Sequence, residues 1–225
     1  TVATRSPFVS PSPTVGRISS GALGESMHLP NPVAFSRGFG RYDSSPAQHQ
    51  AEDAASFLRG ISQDRGKAKG EQWICAACSV APADLLHTER FPKAIGSIHR
   101  CGSCVLPCQW LAFDIDEGMT PQAFEKLCDF LRAAQTQGLV YTTASHTADK
   151  PRCRIVLMLD RPLARAERMR ASAAMRERCN HALREAHHDP ITWDESCDRP
   201  EQPLYLPLHG CESWLLEGTP LSADA

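Results

Sequence analysis

The segment 110–118, WLAFDIDEG, constrains the fold of this chain most, because a short apolar run ends in two acids and a turn. Side chains alternate between the two faces of a β-strand, so Asp114 and Asp116 are expected on one face. Leu111, Phe113 and Ile115 are expected on the other. The two carboxylates would stand roughly 6–7 Å apart along the strand. Like charges at that spacing favour a divalent cation between them, although an isolated Asp-x-Asp also fits a strand that ends in a polar turn.

Composition limits the classes of protein that remain. The chain has 225 residues, enough for one large or two small domains, and 42% of them are hydrophobic, which allows a buried core. A formal net charge of −2 excludes a uniformly basic nucleic-acid coat protein, so any basic surface must be local. The sequence has neither an apolar run of about 18 residues nor an amino-terminal secretion signal. It therefore predicts a cytoplasmic protein without a membrane span.

The distribution of Pro, Ser and Gly predicts the domain organisation. Residues 1–50 are rich in all three and are predicted to be an irregular leader. Residues 51–225 carry the periodic patterns and are predicted to form the folded domain. The chain starts at Thr1 and stops where a helix would open, so we expect it to be a fragment of a longer protein.

Two cysteine pairs in the segment 73–108 predict a zinc element. Cys75 and Cys78 form one Cys-x-x-Cys knuckle, and Cys101 and Cys104 form the other. Two such knuckles about twenty residues apart are typical of a four-thiolate zinc site, since the two-residue gap lets both sulfurs reach one tetrahedral ion. The alternative is chance spacing in a cysteine-rich chain. If one knuckle cysteine is not a ligand, the substitutes are Cys108, His87 and His99.

The remaining segments predict an α+β fold. They are a helix from Thr120 to Gly138, a strand over 139–145, a strand over 155–159 that ends at 160–162, a helix over 164–187, and short strands near 204–207 and 214–218. Together with the acidic strand they give the order β-α-β-β-α-β, which is an α+β sheet pattern.

The helix over 164–187 is rich in arginine on its predicted outer face. These residues are Arg165, Arg168, Arg170, Arg176, Arg178 and Arg184. Such a run usually marks a solvated helix face, and it also fits a surface that follows a phosphate backbone.

A histidine and two arginines follow the acidic strand, each beside a later predicted strand. His146 lies at the end of the next strand, and Arg152 and Arg154 lead into the one after it. With a later acid, Asp114 and Asp116 would hold Mg²⁺ or Mn²⁺ for nucleotidyl transfer, in which the metals neutralise a triphosphate and activate a 3′-hydroxyl. His146 and the arginines would bind the incoming triphosphate, since the arginine fork matches phosphate oxygens.

Some of these residues have structural alternatives. Arg152 and Arg154 share a strand face, so an ion pair with Asp149 or Asp160 would also account for them. Tyr205 fits a packing role better than a role in sugar selection.

In this order, the motifs resemble those of the archaeo-eukaryotic primase superfamily, the primase-polymerases, and within it the branch found in phages, plasmids and other mobile elements. The resemblance runs from about residue 110 to residue 225. It rests on Asp114-Ile115-Asp116, the segments 141–147 and 150–162, Asp189, Asp194 and the segment 205–207.

The resemblance implies a catalytic domain within residues 51–225, with an RNA-recognition-motif-like sheet packed against helices. It implies that Asp114 and Asp116 are metal ligands together with a third acid, for which Asp189 is preferred, Asp194 is second and Asp160 is third. The nucleotide would be bound by Ser145, His146, Arg152 and Arg154. The family motif is Ser-x-His, and here Ala144 takes the serine position, which puts a contact from Ser145 in question.

The same resemblance implies the partners. They are a single-stranded DNA template and nucleoside triphosphates, with a helicase domain or partner protein. It does not reach residues 1–100, so it does not establish the zinc element. One rival is a non-catalytic replication-initiator or DNA-binding module with a structural zinc site. A relaxase-like nuclease is disfavoured because the sequence has no His-x-His motif.

Overall fold

Two groups of strands and three α-helices make up the described part of the chain. A computed structural model describes residues 31–82 and 96–224. The strands are β1 (Val33–Phe39), β2 (Ala47–Ala51), β3 (Gln72–Ala76), β4 (Cys108–Ile115), β5 (Gly138–Thr142), β6 (Cys153–Leu163), β7 (Leu204–Tyr205) and β8 (Ser213–Leu216). The helices are α1 (Ala54–Gln63), α2 (Pro121–Ala133) and α3 (Arg165–Glu185), with a 3-10 helix at Glu195–Asp198.

The strands form two four-stranded sheets in which every neighbouring pair is antiparallel. The first sheet has the order β2-β1-β3-β7, and the second has the order β4-β6-β5-β8. Helices α2 and α3 follow β4 and β6 in the chain, as the β-α-β-β-α-β pattern predicts. The α+β class, with antiparallel sheets and packed helices, is therefore confirmed.

Strand β4 is buried on both faces and joins the two halves of the core. Leu111, Phe113 and Ile115 pack in one cluster with apolar side chains of α2 and α3. Trp110 and Ala112 face the opposite way and pack with side chains of α1 and the first sheet. The predicted alternation along the strand is confirmed, and it directs Asp114 towards the space beside the first sheet.

Helix α2 begins where the sequence predicts, and this fixes the turn after the acidic strand. The side chain of Thr120 accepts a hydrogen bond from the backbone N–H of Ala123, and Pro121 occupies the first helical turn, where its missing N–H costs nothing. Phe124 and Leu127 are among the residues that the helix buries against the second sheet.

Two expectations about secondary structure and one about burial were wrong. Residues 33–39 and 47–51 form strands within the segment expected to be irregular, because Val33 and Ser36 are buried in pairing with β2 and β3. Strand β6 continues through 160–162, where a turn was expected, because it pairs with β4 as far as Leu163. Arg168 lies on the buried face of α3, although an exposed position was expected.

Some predictions fall outside the described residues. Residues 1–30 of the predicted leader and the substitute ligand His87 are among them. Within residues 31–82 and 96–224, no helix combines the length and the apolar character needed to cross a bilayer.

Candidate active site

A cleft of ~560 Å³ lies where the first sheet meets the end of β4. The second sheet and its loops contribute Asp114, Asp116, Ser145 and Arg154 to its lining, and the segment before β7 contributes Asp194 and Cys197. The first sheet and its loops contribute Arg41, Lys69 and Tyr205. The cleft therefore combines three carboxylates with three cationic side chains.

Asp114 is the most constrained acid of the cleft. It lies at the end of β4 opposite Arg154 of β6, whose Nε and Nη2 both lie 2.8 Å from the Asp114 Oδ2 atom. Burial raises the pKa of the Asp114 carboxyl group, Arg154 opposes this, and the neighbouring carboxylates of Asp116 and Asp194 raise it further. The arginine thus offsets only part of the cost of holding this charge away from water.

The second oxygen of Asp114 has no partner among the described residues. Its Oδ1 atom is buried and accepts no hydrogen bond from any of residues 31–82 and 96–224. A buried polar atom without a partner is costly, and in a cleft that also holds Asp116 and Asp194 it is an atom that a divalent cation would satisfy. This atom is the feature of the structure that points most directly to a ligand.

The structure separates the three candidates for the third acid. Asp194 lines the cleft, and its backbone N–H donates to the carbonyl oxygen of Asp114 at 3.1 Å. Its carboxylate also accepts hydrogen bonds from the Ser196 backbone N–H and hydroxyl group. Asp189 is exposed beyond the end of α3 and does not line the cleft. Asp160 lies near the far end of β6, roughly 20 Å from Arg154 along the strand. As the third metal-binding acid, the geometry favours Asp194 over Asp189, the residue preferred from the sequence.

The two strand arginines have different surroundings. Arg154 pairs with Asp114 rather than with Asp149 or Asp160, and its Nη1 donates to the Tyr205 carbonyl oxygen at 3.3 Å. Its guanidinium group lies 5.7 Å from the centre of the Tyr205 ring. These contacts fix the position of the Arg154 side chain. Its charge is paired with Asp114, so it is not free to bind a phosphate.

His146 and Arg152 lie beside the cleft rather than among the residues that line it. The His146 Nδ1 atom accepts a hydrogen bond from the Arg152 backbone N–H at 3.2 Å, and its ring lies 6.4 Å from that of Phe124. The adjacent residue Ser145 does line the cleft. The loop after β5 thus turns Ser145 towards the acids and His146 towards α2.

Two cationic residues of the cleft were missed by the sequence reasoning. Arg41 follows β1, and Lys69 lies in the loop before β3. The Nζ atom of Lys69 is 3.5 Å from the Ser145 hydroxyl oxygen, which links the two sheets across the cleft. The only sequence signal was the presence of basic residues in glycine-bearing loops, because β-sheet pairing, not chain proximity, brings them to the acids.

The acids fit a divalent cation that arrives with a substrate. Among the described residues, no three His, Cys, Asp or Glu side chains are grouped closely enough to hold an ion. Mg²⁺ commonly takes only one or two protein carboxylates and completes its coordination with water and phosphate oxygens. Asp114 through its Oδ1 atom, with one of the cleft carboxylates of Asp116 and Asp194, would meet that requirement.

The cysteine knuckles form two separate thiol pairs. The sulfur atoms of Cys75 and Cys78 are 3.9 Å apart, and those of Cys101 and Cys104 are 3.1 Å apart. The backbone N–H of Ser79 donates to the Cys104 carbonyl oxygen, so the knuckles are neighbours. Burial raises the pKa of Cys104 to about 12, whereas the hydrogen bond with Cys75 lowers the pKa of Cys78. Zinc binding here stays a prediction, because the described residues contain no group of three ligands.

Comparisons with known proteins leave the family open. No protein-family model matches the chain, and no curated protein sequence is significantly similar to it. Among solved structures, the chain is similar to the polymerase domain of Mycobacterium tuberculosis Ligase D, determined in complex with DNA. The sequences are 14% identical, and the similarity covers 80% of this chain and 69% of that chain with a TM-score of 0.39. A similarity of this degree assigns neither a family nor an activity, so function has to be inferred from the cleft.

Proposed function

We propose that the cleft is the active site of a primase-polymerase-type nucleotidyl transferase, which joins nucleoside triphosphates on a single-stranded DNA template and releases pyrophosphate. The observation that carries the proposal is the buried Asp114 Oδ1 atom, which has no partner among the described residues and shares the cleft with Asp116 and Asp194. A buried carboxylate oxygen without a partner, in a cleft lined by two further carboxylates, favours metal-dependent phosphoryl chemistry over simple nucleic-acid binding.

The residues of the chain divide into two groups in this proposal. Asp114, with one or both of Asp116 and Asp194, would hold Mg²⁺ or Mn²⁺ together with water and phosphate oxygens. When bound, such ions neutralise the triphosphate and lower the pKa of the attacking 3′-hydroxyl group. Arg41 and Lys69 form no ion pair within residues 31–82 and 96–224, so their charges are available for the phosphates of the incoming nucleotide.

Three further residues prepare the cleft for its ligands. Ser145, beside Lys69, is placed to hydrogen-bond a phosphate oxygen. Arg154 orients Asp114 so that Oδ2 is occupied and Oδ1 stays available. Tyr205, which lines the cleft and shields Arg154, contributes a flat surface against which a sugar or base can pack.

The biological setting is a further part of the proposal and rests on the motif resemblance. It is the replication of a phage, plasmid or other mobile element, with a helicase as partner. His146 and Arg152 remain candidates for nucleotide contact from the rim of the cleft.

The proposal is tested by measuring incorporation of labelled nucleotides on a primed and on an unprimed single-stranded DNA template, with Mg²⁺ and with Mn²⁺. We expect product with the wild type and none in EDTA. In the Asp114→Asn/Asp116→Asn double variant, we expect a rate at least about a hundredfold lower, because removal of a group that stabilises developing charge typically costs that much.

Two single substitutions then test the third acid. Asp194→Asn is expected to lower the rate, and Asp189→Asn, an exposed site outside the cleft, is expected to leave it near the wild-type value. No incorporation by the folded wild type under any of these conditions would contradict the proposed activity. Equal rates for the double variant and the wild type would contradict the assignment of the site.

A further inference from the structure

A rigid loop with two exposed aromatic rings lies beside the cleft. The aromatic loop, residues 39–43, connects β1 to the segment before β2, and it carries Arg41 into the cleft. Phe39 is 61% exposed and Tyr42 is 87% exposed, the two largest exposures of bulky apolar side chains in the described part of the chain. Two strongly exposed aromatic residues within four positions of each other, beside the cleft, are a candidate contact surface for a partner.

The backbone of the aromatic loop is tightly anchored. Gly40 has a φ of 72°, which favours glycine, and its N–H donates to the Glu71 carbonyl oxygen at 2.8 Å. Its carbonyl oxygen accepts from the Trp73 indole N–H at 2.8 Å. The Asp43 carboxylate accepts from the backbone N–H groups of Phe39 and Ser45. Phe39 and Tyr42 are therefore carried by a turn whose backbone is fixed by hydrogen bonds.

A second contact layer holds this turn from the cysteine-bearing segment. The Arg100 Nε atom donates to the Asp43 carbonyl oxygen at 3.0 Å, and its backbone N–H donates to the Ser44 carbonyl oxygen at 2.8 Å. The guanidinium group of Arg100 also lies 5.1 Å from the centre of the Trp73 ring. These contacts thus stabilise a turn whose two aromatic side chains, Phe39 and Tyr42, are exposed and do not pack in the core.

The charges around the aromatic loop favour an anionic partner. None of the ion pairs among residues 31–82 and 96–224 includes Arg41, Lys67 or Lys69. The guanidinium group of Arg41 lies 5.7 Å from the centre of the Tyr42 ring. The carboxylates nearby are occupied by backbone amides instead: Asp43 as described above, and Glu71 through the N–H groups of Lys67 and Ala68. These five side chains carry three positive and two negative charges, so the surface has a small positive excess on a chain whose formal net charge is −2, and its cations are the groups without a partner carboxylate.

We propose that the aromatic loop is a binding site for single-stranded nucleic acid, in which bases stack on Phe39 and Tyr42 while Arg41, Lys67 and Lys69 contact the phosphates. Unpaired bases expose the faces that such stacking needs, and a positively charged groove beside aromatic rings is the arrangement that single-strand binders use. The aromatic loop adjoins the cleft, because its residue Arg41 lines the cleft. The binding site itself does not depend on the proposed function. Only the statement that the bound strand is the template rests on that function.

The test measures binding apart from catalysis. Fluorescence anisotropy of a labelled single-stranded oligothymidylate is recorded in EDTA without nucleotides. We expect Phe39→Ala/Tyr42→Ala to bind at least about tenfold more weakly than the wild type, since stacking contributes ~1–3 kcal/mol per base and ~1.4 kcal/mol is tenfold. Phe39→Trp/Tyr42→Phe keeps two aromatic faces and is expected to restore binding. Circular dichroism establishes that each variant is folded.

A matched control separates stacking from general loss of apolar surface. Leu215 in β8 is 44% exposed and lies in the other sheet, so Leu215→Ala is expected to leave the affinity unchanged. The wild type is also expected to bind the single strand more tightly than a duplex of the same length. Arg41→Ala is expected to reduce the salt dependence of binding by about one phosphate contact.

The outcomes distinguish this inference from the proposed activity. Wild-type affinity in Phe39→Ala/Tyr42→Ala, or an equal loss in Leu215→Ala, overturns the stacking site even if nucleotides are incorporated. No binding by the wild type, or a preference for duplex, overturns it as well. A selective loss in the aromatic variant supports it, and it does so even where the wild type incorporates nothing, in which case the chain is a single-strand-binding module.

Discussion

Replacing Arg154 by alanine is expected to lower the free energy of unfolding by about 3–5 kcal/mol at neutral pH, because it leaves the buried Asp114 carboxylate without its charge partner. Both side chains of this pair are about one-tenth exposed, so solvent offers little compensation. The Tyr205 carbonyl oxygen would lose a donor at the same time. Urea denaturation followed by circular dichroism measures the change.

Two comparisons identify the ion pair as the cause. Arg152→Ala, which removes a half-buried arginine two residues earlier, is expected to cost less than about 1 kcal/mol. In a double-mutant cycle, Asp114→Asn/Arg154→Met is expected to lose less stability than the sum of its single variants, since no buried charge is left unpaired. A loss in Arg154→Ala as small as that in Arg152→Ala would contradict a stabilising role for the pair.

The pH dependence of this loss has a defined sign. The folded-state pKa of Asp114 is already raised above its ordinary value of 3.8 by burial, and Arg154 is the main group that opposes the rise. Without Arg154 the pKa rises further, so the folded variant binds a proton more readily than the unfolded chain. The loss of unfolding free energy in the Arg154→Ala variant is therefore largest above the folded-state pKa of Asp114 in that variant. The difference in unfolding free energy between variant and wild type is expected to shrink as the pH falls towards 3.8, the ordinary pKa of aspartate.

Local patterns were sufficient to predict the acidic pair and the element that follows it. Asp114 and Asp116 were identified by alternation along one strand, and Thr120 by its position before a proline and an apolar helical repeat. Both patterns depend on neighbours within a few residues, where backbone geometry and side-chain chemistry are nearly independent of the rest of the fold. The cap and the alternation are confirmed, and a metal site remains a proposal.

Long-range pairing determined what the sequence could not predict. Arg41 and Lys69 reach the cleft because β1 and β3 pair with each other and β3 pairs with β7, a register that no local pattern contains. The choice between Asp189 and Asp194 was equally inaccessible. The two lie close in sequence, and the fold distinguishes them, since Asp194 lines the cleft and its backbone donates a hydrogen bond to Asp114.

The burial of Arg168 has a consequence for Asp194, because this one side chain connects β4 to the 3-10 helix that follows Asp194. Its guanidinium group donates to the carbonyl oxygens of Trp110, Cys197 and Asp198, at 3.0, 3.1 and 2.6 Å. It is 1% exposed and lies 5.6 Å from the centre of the Trp110 ring. The position of Asp194 beside Asp114 therefore depends on an arginine that touches neither carboxylate.

Arg168→Ala is accordingly expected to lower the free energy of unfolding by about 3–5 kcal/mol, since three buried carbonyl groups lose a charged donor and a cavity is left beside Trp110. Arg170→Ala, on the exposed side of the same helix, is expected to change it by no more than about 0.5 kcal/mol. Arg168→Lys retains a charge without the fork and is expected to fall between them. At a temperature where Arg168→Lys is still folded, its Mn²⁺ affinity, measured by electron paramagnetic resonance, should be weaker than that of Arg170→Ala, because Asp194 is no longer held against β4. Equal Mn²⁺ affinities would show that Arg168 stabilises the fold without positioning the third acid.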